Sequence, residues 1–233
     1  MKKLLVTLVV SLLLAPAVMA AGGDDPLLMK VMVDRLEGQS GEGPDPVVLE
    51  GDLWIGKDLN KLWLKADIEQ VDGVLEEQEL QLLYSRAISP YWDLQLGARR
   101  DMLPKPEKDW LTLGLHGTAP YFIEGNAALF FAENDQAELR LQAEYELMFS
   151  QRLFLSPELE MKFFKQSDPA EGIGKGLSSA KLGLRLGYEI RREFAPYIGV
   201  NWHSAFGESA DLIKQAGGEV EETRYVAGIS FWF

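Results

Sequence analysis

Apolar and polar side chains alternate with a period of two residues along most of this sequence. The segments Leu62–Glu69, Leu139–Leu147 and Ala180–Ile190 keep the alternation throughout. A period of two places successive side chains on opposite faces of a β-strand and does not fit the 3.6-residue period of an α-helix. About twelve such segments follow one another, most of them about 9–12 residues long, whereas strands of globular proteins average about 5–6 residues. We therefore predict an all-β chain whose strands can cross a membrane at a tilt.

The last segment favours a membrane barrel over a soluble two-sheet sandwich, which is the open alternative. Tyr225, Ala227, Ile229, Phe231 and Phe233 share one face of this segment. Aromatic residues at strand ends suit the interfacial girdles of outer-membrane barrels, whereas on a soluble protein they would promote aggregation. We predict a transmembrane antiparallel up-and-down β-barrel of about 12 strands, in which the polar faces line the lumen.

The first residues predict a secretory signal peptide rather than a membrane anchor. Lys2 and Lys3 precede an apolar run of about 11 residues, which is too short to span a bilayer, and small residues lead up to Ala20. We expect residues 1–20 to be the signal peptide, residues 21–27 a short N-terminal arm and residues 28–233 the barrel. The expected location is the outer membrane of a Gram-negative cell.

Composition excludes several classes of function. The chain has no cysteine, which excludes disulfides, thiolate metal sites and a cysteine nucleophile. Its formal net charge of −13 disfavours nucleic acid as a partner, because phosphate binding needs a basic surface. We also expect the connectors to alternate in length, with short ones such as Glu133–Asp135 and Ile88–Pro90 between longer ones such as Lys165–Leu177 and Ser204–Thr223. In such barrels long loops face outside and short turns face the periplasm.

Four side chains are candidate ligands of a soft metal, because thioethers and imidazoles bind copper. The alternation places each of them on the lumen face: Met32, His116, Met148 and His203. We expect them to line one cavity that also contains many carboxylates. The alternative is that both histidines are ordinary lumen residues, hydrogen-bonded to glutamate or water, because isolated histidines without ligand spacing are weak indicators of a site.

Nine stretches of the mature chain resemble the CopB/PcoB family of outer-membrane copper resistance proteins. They are Val33–Glu37, Trp54–Asp58, Leu62–Lys65, Leu83–Gln95, Ala119–Phe122, Ser150–Leu153, Gly172–Leu177, Leu182–Tyr197 and Phe231–Phe233. The resemblance implies a small outer-membrane barrel that binds copper ion and acts in copper tolerance beside a periplasmic multicopper oxidase. One departure is that family members usually carry a Met- and His-rich segment before the barrel, whereas here residues 21–27 contain neither residue.

The leading hypothesis is therefore a non-enzymatic copper-binding barrel whose acidic lumen attracts or passes copper ions. One alternative is a porin-like barrel without a metal site. The other is an outer-membrane hydrolase, for which Asn201, His203 and Ser204 offer the residue types without a nucleophile motif. Expected partners are outer-membrane lipid, the multicopper oxidase, and the barrel-assembly machinery through the C-terminal Phe233 strand.

Overall fold

A computed structural model describes residues 25–41 and 43–233, so the predicted signal peptide lies outside the described residues. The described chain contains one α-helix, α1 (Gly207–Gln215), and short 3₁₀ turns. Nearly all the rest is β-structure. The strands are β1 (Leu28–Gly41), β2 (Pro46–Gly56), β3 (Asn60–Val71), β4 (Val74–Ala87), β5 (Trp92–Leu103), β6 (Lys108–Ala119), β7 (Ile123–Phe131), β8 (Ala137–Glu144), β9 (Leu147–Met148), β10 (Leu153–Phe164), β11 (Gly176–Tyr188), β12 (Phe194–Ala205) and β13 (Glu221–Trp232).

The strands form a single antiparallel sheet that closes on itself. Each strand pairs with its neighbour in the chain, and the ring is completed where β1 pairs with β13. β8 and β9 pair with β10 in one continuous register, so they are two parts of the same barrel strand. The result is a closed barrel of twelve strands, which confirms the predicted fold class. Among the described residues, no helix has the length and apolar character needed to cross a membrane.

Side chains divide between the two faces as the alternation predicts. Leu96, Leu111 and Tyr225 point outward and are 60–70% exposed. Phe130 and Glu37 point inward and are each only 1% exposed. Burying charged groups inside while leucines cover the outside is the reverse of a soluble protein and suits a wall that faces lipid.

The two ends of the barrel differ in their connectors. β1 begins and β13 ends at one end of the barrel, which we call the terminus end, where the turns are short, as at residues 88–91. The opposite end, the loop end, carries residues 165–175 and the connector that contains α1. Residues 133–135 also lie at the loop end. The prediction that this short connector is on the opposite side from residues 165–177 is therefore wrong. In an up-and-down barrel every second connector lies at the same end, whatever its length.

Candidate functional site

Inward-facing side chains divide the lumen into two cavities. The terminal cavity, of about 420 Å³, lies at the terminus end and is lined by residues such as Lys30, Met32 and His116. The loop cavity, of about 400 Å³, lies at the loop end and is lined by residues such as Lys108 and Asp168. Arg140 lines both cavities. The expectation that the four candidate ligands line one cavity is therefore wrong, because charged side chains meet in the middle of the barrel.

One of two charged clusters in this middle layer joins β4 and β5 to β8. Arg99 donates to Glu138 (Nη1–Oε2, 2.7 Å) and pairs with Glu79 (Nε–Oε2, 2.9 Å). Arg140 donates to the same two carboxylates, to Glu79 (Nη2–Oε2, 2.9 Å) and to Glu138 (Nε–Oε1, 3.0 Å). The ring of Phe130 lies 4.7 Å from the guanidinium carbon of Arg99 and 5.1 Å from that of Arg140. All four charged groups are nearly buried, so each depends on the others for its charge partners.

The second cluster joins β10, β11 and β12 to β1. Arg185 donates to Glu37 through both Nε and Nη2, at 3.0 Å each, and to Glu158 through Nη1 at 3.0 Å. Arg35 pairs with the other oxygen of Glu158, and the Tyr197 hydroxyl donates to Glu37 at 2.9 Å. The pair of Arg35 and Glu158 links strands four places apart in the sheet, as does the pair of Arg140 and Glu79. Together the clusters form a charged layer across the barrel.

The terminal cavity contains more acids than bases. Seven carboxylates and four cationic side chains line it among the described residues. The carboxylates are those of Asp34, Glu50, Asp52, Asp67, Glu124, Glu144 and Glu158. Some are paired, since Glu50 accepts from Arg35 at 2.8 Å. A net negative lining raises the local concentration of cations and opposes anions.

Two of the four predicted metal ligands lie in this cavity. Met32 is opposite Asp52 in the β1–β2 register, and His116 lies on β6. The imidazole of His116 contacts the indole ring of Trp63 edge-on, with 5.6 Å between ring centroids. His116 Nδ1 is buried and has no hydrogen-bond partner among the described residues. Lys65, Asp93 and Lys61 are the charged groups that act on this imidazole.

The other two predicted ligands lie elsewhere. His203 is exposed near the loop end of β12, opposite Lys181 and Glu222 in register. Met148 is 48% exposed at the terminus end, beyond Glu144 on the same face. The structure thus brings Met32 and His116 into one cavity and does not bring all four residues together. Within residues 25–41 and 43–233, no group of three or more His, Cys, Asp or Glu side chains has the spacing to hold a metal ion.

Trp63 is the residue of the terminal cavity that sequence reasoning missed. The alternation assigned it to the polar face of β3, but its indole was not considered as part of a site. It is 7% exposed, and the ammonium of Lys65 lies 5.4 Å from its ring centroid. An inward tryptophan among charged neighbours was the available signal, because such rings fill a lumen and contact cations.

The loop cavity is covered by residues 165–175, which we call the strap. Lys108, across the barrel on β6, pairs with Asp168 at 3.0 Å and with Glu171 at 2.7 Å. The hydrogen bond from Lys108 lowers the pKa of the Asp168 carboxyl below its ordinary value. On its other side the strap packs on α1, where the Gly174 amide donates to Ser209 Oγ at 2.7 Å. A Cβ at Gly174 would lie 2.2 Å from the Ser209 amide nitrogen, so only glycine allows this approach.

Comparison with known proteins gives one family for nearly the whole described chain. A family model described as Copper resistance protein B precursor (CopB) matches residues 27–233. Copper resistance protein B of Escherichia coli is 39% identical over 210 residues, which cover 90% of this chain and 71% of that protein. A Copper resistance protein B homolog of Pseudomonas syringae pv. tomato is 37% identical over 202 residues, covering 87% and 69%.

Solved structures with a similar fold are outer-membrane barrels. The NanC porin superposes with a TM-score of 0.59 at 11% identity, covering 88% of this chain and 99% of that one. The KdgM porin gives 0.52 at 13% identity, covering 88% and 99%. Outer membrane phospholipase A from Escherichia coli gives 0.51 at 15% identity, covering 87% and 92%. At such identities the similarity concerns the fold alone.

Proposed function

The chain belongs to the copper resistance protein B family, and from this membership we propose that it binds copper inside its barrel as part of its role in copper resistance. It is a β-barrel of the Gram-negative outer membrane. The observation that carries the proposal is that Met32 and His116 line the same net-negative cavity, with His116 Nδ1 buried and without a partner. A thioether and an imidazole beside carboxylates suit both oxidation states of copper.

In this proposal the terminal cavity collects copper from the periplasmic side. Its seven carboxylates attract cations, and Met32 and His116 supply the soft and borderline ligands. His203 and Met148 would be separate, outlying copper contacts, one toward the loop cavity and one at the terminus end. The periplasmic multicopper oxidase and the barrel-assembly machinery remain proposed partners, the latter through the strand that ends at Phe233.

Titration of the purified, folded barrel in detergent with Cu(I) and with Cu(II) tests the proposal. We expect a dissociation constant below about 10 μM, weakened by about tenfold or more in His116→Ala and in Met32→Leu. Met161→Leu is the matched control, because Met161 lies on the outer face of β10, opposite Ala180. His203→Ala and Met148→Leu show whether the outlying residues also contribute. Absence of any binding tighter than about 10 μM in the unmodified barrel would refute the proposal.

A hydrolytic function has less support. The fold is shared with a phospholipase as well as with porins, and the family is named for copper resistance. Asn201 and His203 alternate onto the inner face of β12, and Asn201 is 4% exposed beside Glu37. Ser204 is the next residue after His203 and therefore lies on the opposite face of the strand. A nucleophile and base on opposite faces cannot form a hydrogen-bonded pair.

A further inference from the structure

Unpartnered polar groups are concentrated in the wall of the terminal cavity. Among the described residues, six buried side-chain nitrogen or oxygen atoms have no hydrogen-bond partner, and the residues of five line this cavity. The five atoms are Trp63 Nε1, Gln95 Nε2, Thr112 Oγ1, His116 Nδ1 and Asn126 Oδ1. Buried polar groups are nearly always paired in folded proteins, so this concentration marks a wall where a bound ligand would find hydrogen-bonding groups.

These groups lie close together on β3 and β5–β7. Gln95 is opposite Gly114 in register, His116 is opposite Asn126, and the Trp63 ring contacts His116. Gln95 and Thr112 are each 2% exposed. An added Cβ at Gly114 would meet no atom closer than 3.6 Å, which leaves room at the centre of this wall. We call the five residues the polar wall.

The hydrogen-bonding character of the polar wall restricts what can bind there. Trp63 Nε1 and Gln95 Nε2 are donors, and Thr112 Oγ1 can donate. A bare metal ion has no acceptor, and water bound to a metal ion presents hydrogens rather than lone pairs. A ligand that satisfies the wall must therefore bring an acceptor oxygen of its own, and a carboxylate accepts several such bonds at once.

Charge restricts the ligand further. Seven carboxylates around the cavity oppose a free anion, while Lys65 and Lys61 are already paired with Asp52 and Asp93. A neutral complex avoids this penalty and still presents carboxylate oxygens. We propose that copper occupies this cavity as a neutral Cu(II) complex of a small amino carboxylate. Its carboxylate accepts hydrogen bonds from Trp63, Gln95 and Thr112, and its metal faces His116. This inference rests on the proposed function and specifies the form in which copper is bound.

Equilibrium dialysis of the purified, folded barrel against Cu(II) and isotopically labelled glycine tests the inference. Three arms contain copper alone, glycine alone, and both together. We expect glycine to be retained only when copper is present, with about two glycines for each copper, because two singly charged carboxylates neutralise Cu(II). Retention of glycine without copper would mean that the ligand is a free carboxylate, and this would overturn the inference.

Substitutions in the polar wall separate this inference from the proposed function. Gln95→Leu combined with Thr112→Val should reduce glycine retention by about tenfold or more while copper alone still binds. Trp63→Phe, which removes one donor and keeps a ring, should act in the same direction. The control is Gln166→Leu combined with Thr223→Val, since Gln166 is exposed at the loop cavity and Thr223 lies outside both cavities.

Each outcome is decisive. Copper retained without glycine by the unmodified barrel in the arm that contains both overturns the chelate and leaves the copper site standing. Glycine retention unaffected by all polar-wall variants, each checked for folding by heat-modifiable migration in gels, also overturns it. If the barrel retains no copper in any arm, both the inference and the proposed function are wrong.

Discussion

Arg99 and Arg140 show how single residues determine the stability of the barrel. Each arginine side chain is 8% exposed, and both share the carboxylates of Glu79 and Glu138. Removing one member of a buried ion pair is costly, because the remaining charge stays away from water without its partner. The stability of the charged layer therefore depends on complete pairing more than on the number of ion pairs.

Glu79→Gln tests this dependence. We expect the free energy of unfolding to fall by about 3 kcal/mol, because both arginines lose a charged partner in a buried site. Urea unfolding in detergent micelles, followed by tryptophan fluorescence, measures the change. The control is Glu77→Gln on the same strand, where the side chain is exposed. An equal loss in the two variants would contradict the importance of pairing.

The faces of individual residues could be predicted from the sequence, but their partners could not. Alternation alone assigned Met32 and His116 to the lumen, and both line the terminal cavity. Arg35 was out of reach, because a bulge between Val33 and Arg35 in β1 moves it to the inner face. A period of two shows which face a residue is on but not how far along the barrel axis it lies. The separation of His203 from His116 therefore could not be predicted from it.

The strap is the element that controls the loop end. It is fixed to β6 by Lys108 and to α1 by Ser209. Of these two contacts, the one made by Lys108 crosses the loop cavity. Loss of its charge should free one side of the strap while the α1 side stays packed.

Lys108→Gln should therefore open the loop cavity. The chain has no cysteine, so a single Ser179→Cys reporter in this cavity can be labelled without background. We expect a thiol reagent to label it about tenfold faster in the Lys108→Gln background, since tenfold corresponds to about 1.4 kcal/mol, the range of one charge-assisted contact. Lys105→Gln is the matched control, because Lys105 pairs with Glu107 in the neighbouring connector, away from the strap.

The pH dependence of this labelling follows from Asp168. The hydrogen bond from Lys108 lowers the pKa of the Asp168 carboxyl below the ordinary aspartate pKa of about 4. This carboxylate therefore stays charged, and stays paired with Lys108, at every pH down to about 4 and somewhat below. Labelling of the reporter should thus be constant from neutral pH to about pH 5 and rise only in stronger acid. A rise between pH 7 and pH 5 would show that another group holds the strap.

Long strands were easier to predict than connectors. The twelve barrel strands follow from alternation because lipid outside and charge inside impose it on every strand. The helix α1 was not predicted within the connector at residues 204–223, because a helix of nine residues depends on packing against the strap and β11 rather than on its own pattern.

The charged layer also affects whether ions can pass through the barrel. Arg140 lines both cavities and its cluster lies between them, while Arg35 and Glu158 of the second cluster line the terminal cavity. We expect no steady conductance steps from the purified barrel in planar lipid bilayers. Arg35→Ala combined with Arg140→Ala should produce steps that favour cations, because the carboxylates then remain in excess. Arg86→Ala combined with Arg100→Ala, both exposed, is the control. Conductance by the unmodified barrel would contradict a closed layer.

The long separation of the charge partners along the chain has a consequence for biogenesis. Arg185 binds a carboxylate 148 positions earlier, and Arg140 binds one 61 positions earlier. Arg185 lies on β11 and its partner Glu37 on β1, so these two charges cannot meet in a sheet that has not yet closed. The contact between β1 and β11 is therefore available only to a completely assembled barrel.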